Sequence, residues 1–300
     1  MVRKSRAGYG WREALGGYLF ISPVVLGIII FTAWPILQSL YYSFTEFSVL
    51  RSPEWVGLAN YRRLLTGSDF WHSFRLTVYF TVVSVPLNLL SGFFLALLLK
   101  RSVPGIRYFR TIYYLPVVVP VVALGVLWKQ ILSPDFGLAN EMLQWIGLDP
   151  YPWFSRPETV MPSLFLMGLW QTGSAMIIWL AGLEGVPAYL YEAAVVDGAS
   201  PWKRFRYITI PMVSPIIFYN LVIGLIGALQ VFGQVFVTTN GGPLKASHFL
   251  MVEIYNRAFG TFEMGYASAL SWILFVIIML LTLLVFRTSR RWVYYEGEGR

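Results

Sequence analysis

Six stretches of this chain run for 18 residues or more without a charged side chain, and that property limits what it can fold into more than any other. They are Ala14–Thr45, Leu76–Leu99, Thr111–Trp128, Thr159–Leu183, Tyr207–Leu244 and Met264–Phe286, of 32, 24, 18, 25, 38 and 23 residues. A helix needs roughly 20 mostly apolar residues to cross about 30 Å of hydrocarbon, so each stretch is long enough for one crossing. None alternates with period two, which excludes a transmembrane barrel and leaves helices. The spacing predicts spans near 18–41, 76–99, 111–131, 160–182, 213–235 and 265–286. The first outruns the apolar core of a cleavable secretory signal, and no A-x-A-like site follows it. It is expected to stay as the first crossing. The expected fold class is all-α and integral to the membrane, with residues 1–300 forming one transmembrane domain.

Charge sets the orientation. Lys and Arg number 15 in the segments on the side of the termini (residues 3–12, 100–110, 203–206 and 287–300) and 8 in the alternate segments, while acidic residues divide six to nine. Positively charged loops stay inside, so both termini are expected in the cytoplasm. The overall charge of +8 is then topogenic, and no nucleic-acid partner is expected. The chain has no cysteine and only two histidines, His72 and His248. No metal centre, thiol chemistry or iron–sulfur cluster is expected. No G-x-x-x-x-G-K-[ST], H-E-x-x-H or G-x-S-x-G pattern occurs, and no catalytic residue is assigned.

Inside the spans the informative residues are prolines and neutral polar groups. Pro116 and Pro120 lie four apart in the third span, a spacing that predicts a bent helix able to line a cavity; Pro86 and Pro215 suit tolerated kinks. Polar groups at membrane depth face a bundle interior or a wet cavity. The candidates for a pore or substrate contact are Gln171 and Ser174, three apart in span four, and Gln230 with Gln234, four apart in span five. Interhelical hydrogen bonding is the competing role for each. No charged residue lies near the centre of any span, which suits an uncharged, hydroxyl-rich solute and not an ion-coupled carrier. Outside, segments 46–75 and 133–158 carry Trp55, Trp71, Trp145 and Trp153, open to interfacial anchoring or to docking of an external partner.

The cytoplasmic segment 184–211 has the most defined local grammar. Pro187 suits a first helical position, Ala188–Asp197 is strong helix material, and Gly198 follows as a left-handed cap. Ser200 is placed to cap a second short helix that starts at Pro201. Two short helices on an exposed loop suit a docking element for a protein partner.

This loop carries the pattern E-A-A-x-x-x-G. Glu192, Ala193, Ala194, Asp197, Gly198, Ala199, Phe205, Ile208 and Pro211 match the EAA loop of permease subunits of binding-protein-dependent ABC importers, and the chain resembles the carbohydrate-uptake branch of that family over nearly its whole length. Pro35 with Ser39 and Ser43–Thr45, Gly57–Tyr61, Phe109–Arg110 with Leu115–Pro116 and Pro120, Gly137–Asn140, and Thr239–Pro243 with Tyr255 and Phe259 resemble further signatures of the branch. In the maltose-type permease the sugar contacts of spans four and five align with Met167, Ser174, Gly224, Ala228 and Val231 here, so its contact residues are not carried over. The resemblance implies a type I importer permease fold of six crossings in a bacterial or archaeal cell membrane, with the EAA loop seated on an ATPase. It implies as partners two ATPase subunits holding ATP and Mg, a second, related permease, an extracytoplasmic sugar-binding protein and membrane lipid. No cofactor is expected on this chain. The alternative function is an ion-coupled secondary carrier of a neutral polar solute.

Overall fold

A computed structural model of the chain describes residues 11–49, 51–101 and 103–294. The topogenic charges Arg3, Lys4, Arg6, Glu296, Glu298 and Arg300 lie outside the described residues. In chain order the elements are α1 (Trp11–Ile28), α2 (Trp34–Ser43), β1 (Thr45–Ser48), β2 (Arg51–Trp55), α3 (Ala59–Thr66), α4 (Ser68–Leu99), α5 (Ile106–Val118), α6 (Val121–Ile131), α7 (Leu138–Trp145), α8 (Pro157–Trp170), α9 (Gly173–Glu184), α10 (Ala188–Val196), α11 (Pro201–Arg204), α12 (Ile210–Met212), α13 (Ser214–Leu229), α14 (Gly233–Thr238), α15 (Leu250–Tyr255) and α16 (Met264–Ser289). π-helical turns at Ile29–Ala33 and Phe205–Thr209 each precede a proline, Pro35 or Pro211. Without an N–H, a proline cannot donate to the carbonyl four residues back, so the ladder is reset at these points.

Four helical stretches are long and apolar enough to cross a bilayer: Ala14–Ser43, Ser68–Leu99, Ser214–Thr238 and Met264–Ser289. Two further pairs qualify only together, α5 with α6 across a 103° bend and α8 with α9 across a 47° bend. The first bend has a local cause. Val119 is extended at φ −72°, ψ 126° because the ring of Pro120 disfavours the α region for the residue before it, and Pro120 stands as the N-cap just before α6. Pro116 stays within α5. Pro86 does not interrupt α4, and Pro215 opens α13, where a missing N–H costs nothing.

The described chain falls into two compact units. The first comprises residues up to Leu64 together with Arg257–Trp272. Here β1 and β2 pair antiparallel with Thr45 opposite Trp55. Asn60 Nδ2 donates to the carbonyls of Ser43 and Thr45 at 3.0 and 2.8 Å. Glu263 accepts from Arg63 at 2.9 Å and from Arg257 at 3.0 Å. The second unit, Leu65–Asn256 with Ile273 onward, holds two apolar cores. One gathers Phe80, Leu124, Trp128, Leu164, Met167 and Phe249. The other gathers Ala96, Leu99, Met176, Trp179, Leu183 and Val213.

Candidate functional site

The second core is the floor of the 184–211 segment. Tyr191, Ile208 and Met212 pack against it, and the Tyr191 and Thr209 hydroxyls lie 2.9 Å apart. Lys100 Nζ donates to the Leu183 carbonyl at 2.9 Å and stands 5.7 Å from the Tyr191 ring. Arg110 donates to the Leu99 carbonyl at 2.9 Å and to Glu184 at 3.1 Å. The start of the loop is thus fixed to the ends of α4 and α9, and its later part rests on the core through Ile208.

Its local structure follows from three residues. Pro187 is extended and stands one position outside the helix, not at the first helical position that its ring suggested. α10 ends in a paired cap: Gly198, at φ +70°, donates to the Val195 carbonyl at 3.0 Å, and Ala199 donates to the Ala194 carbonyl at 2.8 Å. This two-bond closure needs a left-handed residue at its centre. Ser200 Oγ then accepts from the Lys203 N–H at 3.3 Å, with Pro201 opening α11. The outer face is bare. Glu192, Ala193 and Asp197 are exposed, as are Tyr189, Val195, Val196 (87%) and Trp202 (70%). Phe205 and Ile208 are half-buried, and Pro211 lies in α12. The segment is anchored below, and its outer face sets exposed apolar side chains beside Glu192 and Asp197.

A second feature is a cavity within the same unit. Half-open and of about 210 Å³, it is walled by α4, α8 and α13 and closed by the start of α14. Gln171 and Gln234 line it, together with Ser84 and Asn88 of α4. Ser174 and Gln230 do not; both are exposed elsewhere. The shared helical faces that the spacing predicts are absent, because each pair straddles a break. Gln171 caps α8 at φ −90°, ψ 8°, and Ser174 belongs to α9 beyond the 47° bend. Gln230 caps α13, and Phe232, at φ −143°, ψ −69°, separates it from α14. Pro120 bends the span and Pro116 stays within α5, and neither lines this cavity. Among the described residues no group of three or more acidic or histidine side chains could hold a metal ion.

Two features escaped the sequence reading. Asn140 holds segment 133–158 by four hydrogen bonds, donating to the carbonyls of Pro134 and Tyr151 and accepting from the Tyr151 N–H and Trp153 Nε1 at 2.8–3.1 Å. Asn60 has the same kind of role in the first unit, and both asparagines close the tetrapeptide Gly-Leu-Ala-Asn, a repeat that signals the device. His248 and Glu253 form a buried contact of 2.6 Å, beside Gly241 at φ +84°; five residues apart, they gave no helical or metal-site pattern to find.

Residues 66–294 match the family described as "Binding-protein-dependent transport system inner membrane component". Among curated proteins, the chain is 39% identical over 292 residues to the "Probable ABC transporter permease protein YesP" of Bacillus subtilis, covering 96% of this chain and 94% of that one. It is 32% identical to the "Trehalose/maltose transport system permease protein MalF" of Thermococcus litoralis, covering 93% and 95%. The "Lactose transport system permease protein LacF" of Rhizobium radiobacter is 33% identical, with 97% and 99% covered. Among solved structures, a chain of a bacterial ABC transporter that imports the acidic polysaccharide alginate superposes with a TM-score of 0.83 at 26% identity, over 93% of this chain and 96% of that one.

Proposed function

The chain belongs to the family of inner-membrane components of binding-protein-dependent transport systems, and on that premise we propose that the segment 184–211 is its coupling loop and the cavity beside Gln171 and Gln234 is part of its translocation pathway. Its fold is the all-helical type I ABC importer permease fold. It is the transmembrane subunit of an ABC importer, and a secondary carrier is not favoured. From the carbohydrate cargoes in its relatives' names we infer a sugar or related hydroxylated solute.

The observation that carries the reading is the loop: an exposed face bearing apolar side chains, held over a core-anchored base. Force delivered to Glu192, Val196 and Trp202 reaches α4 and α9 through packed side chains, with no soft linker to absorb it. The matching residues Ala193, Ala194, Asp197, Ala199, Phe205, Ile208 and Pro211 shape this surface or its anchorage. ATP and Mg belong to two partner ATPase subunits, this chain binding no cofactor. A second, related permease completes the pathway. An extracytoplasmic binding protein delivers the cargo, in keeping with the alginate transporter solved with its substrate-loaded periplasmic protein; segments 46–75 and 133–158 are its docking surfaces. The test is ATP hydrolysis by the reconstituted complex over a sugar panel. Hydrolysis that responds to one sugar with its binding protein supports the reading, and the isolated chain is expected to hydrolyse none.

Each bent pair counts as one crossing, giving six spans, a single permease domain over residues 1–300 and both termini in the cytoplasm. The 103° bend makes this testable. If α5 and α6 formed a re-entrant hairpin instead, their flanks would share a side. A cysteine at the exposed Asp149 is expected to label from outside, and one at the exposed Arg107 only after permeabilisation. Equal labelling of both from one side contradicts six spans. For the cavity, Gln171→Leu and Gln234→Leu are each expected to lower transport about three- to tenfold with assembly intact, the effect of removing one or two hydrogen-bonding groups from the path. Gln230→Leu, outside the cavity, is expected to change transport little.

A further inference from the structure

Resting on the reading of segment 184–211 as the coupling loop, we propose that residues Trp292–Tyr294 are a strap through which that loop moves the long helix α16, with Ser214 as the positioning residue that joins the two. The proposal starts from one hydroxyl used twice. Ser214 is 3% exposed. Its Oγ donates to the Pro211 carbonyl at 2.7 Å and accepts from the Tyr294 N–H at 2.8 Å. Pro211 closes the loop, and Tyr294 follows the end of α16 at Ser289. A hydroxyl can donate and accept at once, so this single group ties the segment after α16 to the exit of the loop. Alanine at the same position would part them.

The strap has an apolar foot as well. Past Ser289 the chain turns back, the N–H groups of Trp292 and Val293 donating to the Ser289 carbonyl at 3.0 and 2.8 Å. Val293 is buried, and the Trp292 ring meets Phe218 of α13 edge-on at 6.3 Å. Phe218 also takes Phe286 of α16 edge-on at 4.9 Å; such pairs hold beyond the area they bury. On the loop side the path continues without a gap. The Val213 N–H donates to the Thr209 carbonyl at 3.0 Å, and the Thr209 hydroxyl lies 2.9 Å from that of Tyr191 in α10. Every step from α10 to the end of α16 is therefore a hydrogen bond, a ring contact or a turn of helix, the kind of contiguous contact that carries displacement. The strap adds α16 to α4 and α9 as helices that the loop moves.

The test uses the full chain in its complex, reconstituted in vesicles with its binding protein. The readout is cargo transported per ATP hydrolysed, with co-purified ATPase and melting temperature measured beside it. Ser214→Ala is expected to lower transport per ATP about three- to tenfold, the worth of one hydrogen bond, with ATPase yield and melting temperature close to wild type. Ser214→Thr, which keeps the hydroxyl, is expected to restore the ratio. Tyr294→Pro, which deletes the N–H donor, is expected to match Ser214→Ala, and Tyr294→Ala, which keeps that donor, to match wild type. An unchanged ratio in both Ser214→Ala and Tyr294→Pro overturns the strap. A fall in transport that follows the loss of melting temperature or ATPase yield overturns it too, because the contact then only holds the fold together. Gly198→Val, measured alongside, tests the premise. If it uncouples while the Ser214 and Tyr294 variants do not, the strap alone falls; if it couples fully, the coupling-loop reading falls with it.

Discussion

Replacing Gly198 with valine is expected to uncouple the importer while leaving the chain in the membrane. Gly198 sits at φ +70°, and nothing lies within 4 Å of where its Cβ would be. The cost of a side chain there is conformational and not steric. A non-glycine residue forced into a sparsely populated backbone region costs about 1–3 kcal/mol, and a β-branched one is at the upper end. Relaxing that strain means giving up the two cap bonds from Gly198 and Ala199, which redirects α11 and the Trp202 side of the docking face. We expect Gly198→Val to reduce co-purified ATPase or sugar-stimulated hydrolysis about tenfold or more, as a loss near 1.4 kcal/mol or above would. Gly198→Ala is expected to fall between, and Gly198→Asn to stay near wild type, because asparagine tolerates the left-handed region. That ranking separates a backbone requirement from a general sensitivity of the loop. Full coupling from the valine variant would show that the cap does not matter.

Gly173→Ala is expected to be among the most damaging single methyls in the second unit. Gly173 starts α9 directly against the backbone of α5, where a Cβ would run into the Tyr113 carbonyl oxygen and come within 3.1 Å of Tyr114 Cα. A backbone neighbour cannot rotate away as a side chain can. Overpacking costs about 1–3 kcal/mol even where side chains can shift, and occasionally more. Here the α5–α9 contact must open, so a loss above that range is expected, read as a lower melting temperature and little monodisperse protein in detergent. Gly27→Ala, with open space around it, is the control and is expected to behave as wild type. A Gly173→Ala protein as stable as Gly27→Ala would mean that α9 does not approach Tyr113 this closely.

The membrane class was legible because the charge-free stretches are a one-dimensional property. Local chemistry was legible too: Gly198, Ser200 and Pro201 have the roles their residue types suggest, since caps are decided within four or five residues. What was not legible depends on where helices break. The intervals Gln171–Ser174 and Gln230–Gln234 look like helical neighbours only if the helix continues. A turn after Trp170 and the non-helical backbone at Phe232 divide each pair, leaving one glutamine of span five in the cavity and the other outside it. Neither interval contains a proline, and the only glycines, Gly173 and Gly233, begin the helices that follow, so no strong local breaker marks the interruption. By contrast the break at Val119 is announced by Pro120. The place of Ser84 and Asn88 beside Gln171 and Gln234 arises from the packing of α4 against α8 and α13, which no local pattern records.

The central claim is that energy enters this chain through the face of α10, and one measurement reaches it directly. Glu192 is exposed, and the chain has no other thiol, so with cysteine-free partner subunits a benzophenone maleimide on a Glu192→Cys variant marks that face alone. The variant is co-expressed with its partner subunits, with the exposed Asp149 replaced by cysteine in a second sample for the opposite side. On irradiation, the probe at position 192 is expected to form an adduct with an ATPase subunit, and the probe at position 149 is expected to form none with it. An intact complex in which position 192 yields no ATPase adduct, or in which position 149 yields one, would contradict the account.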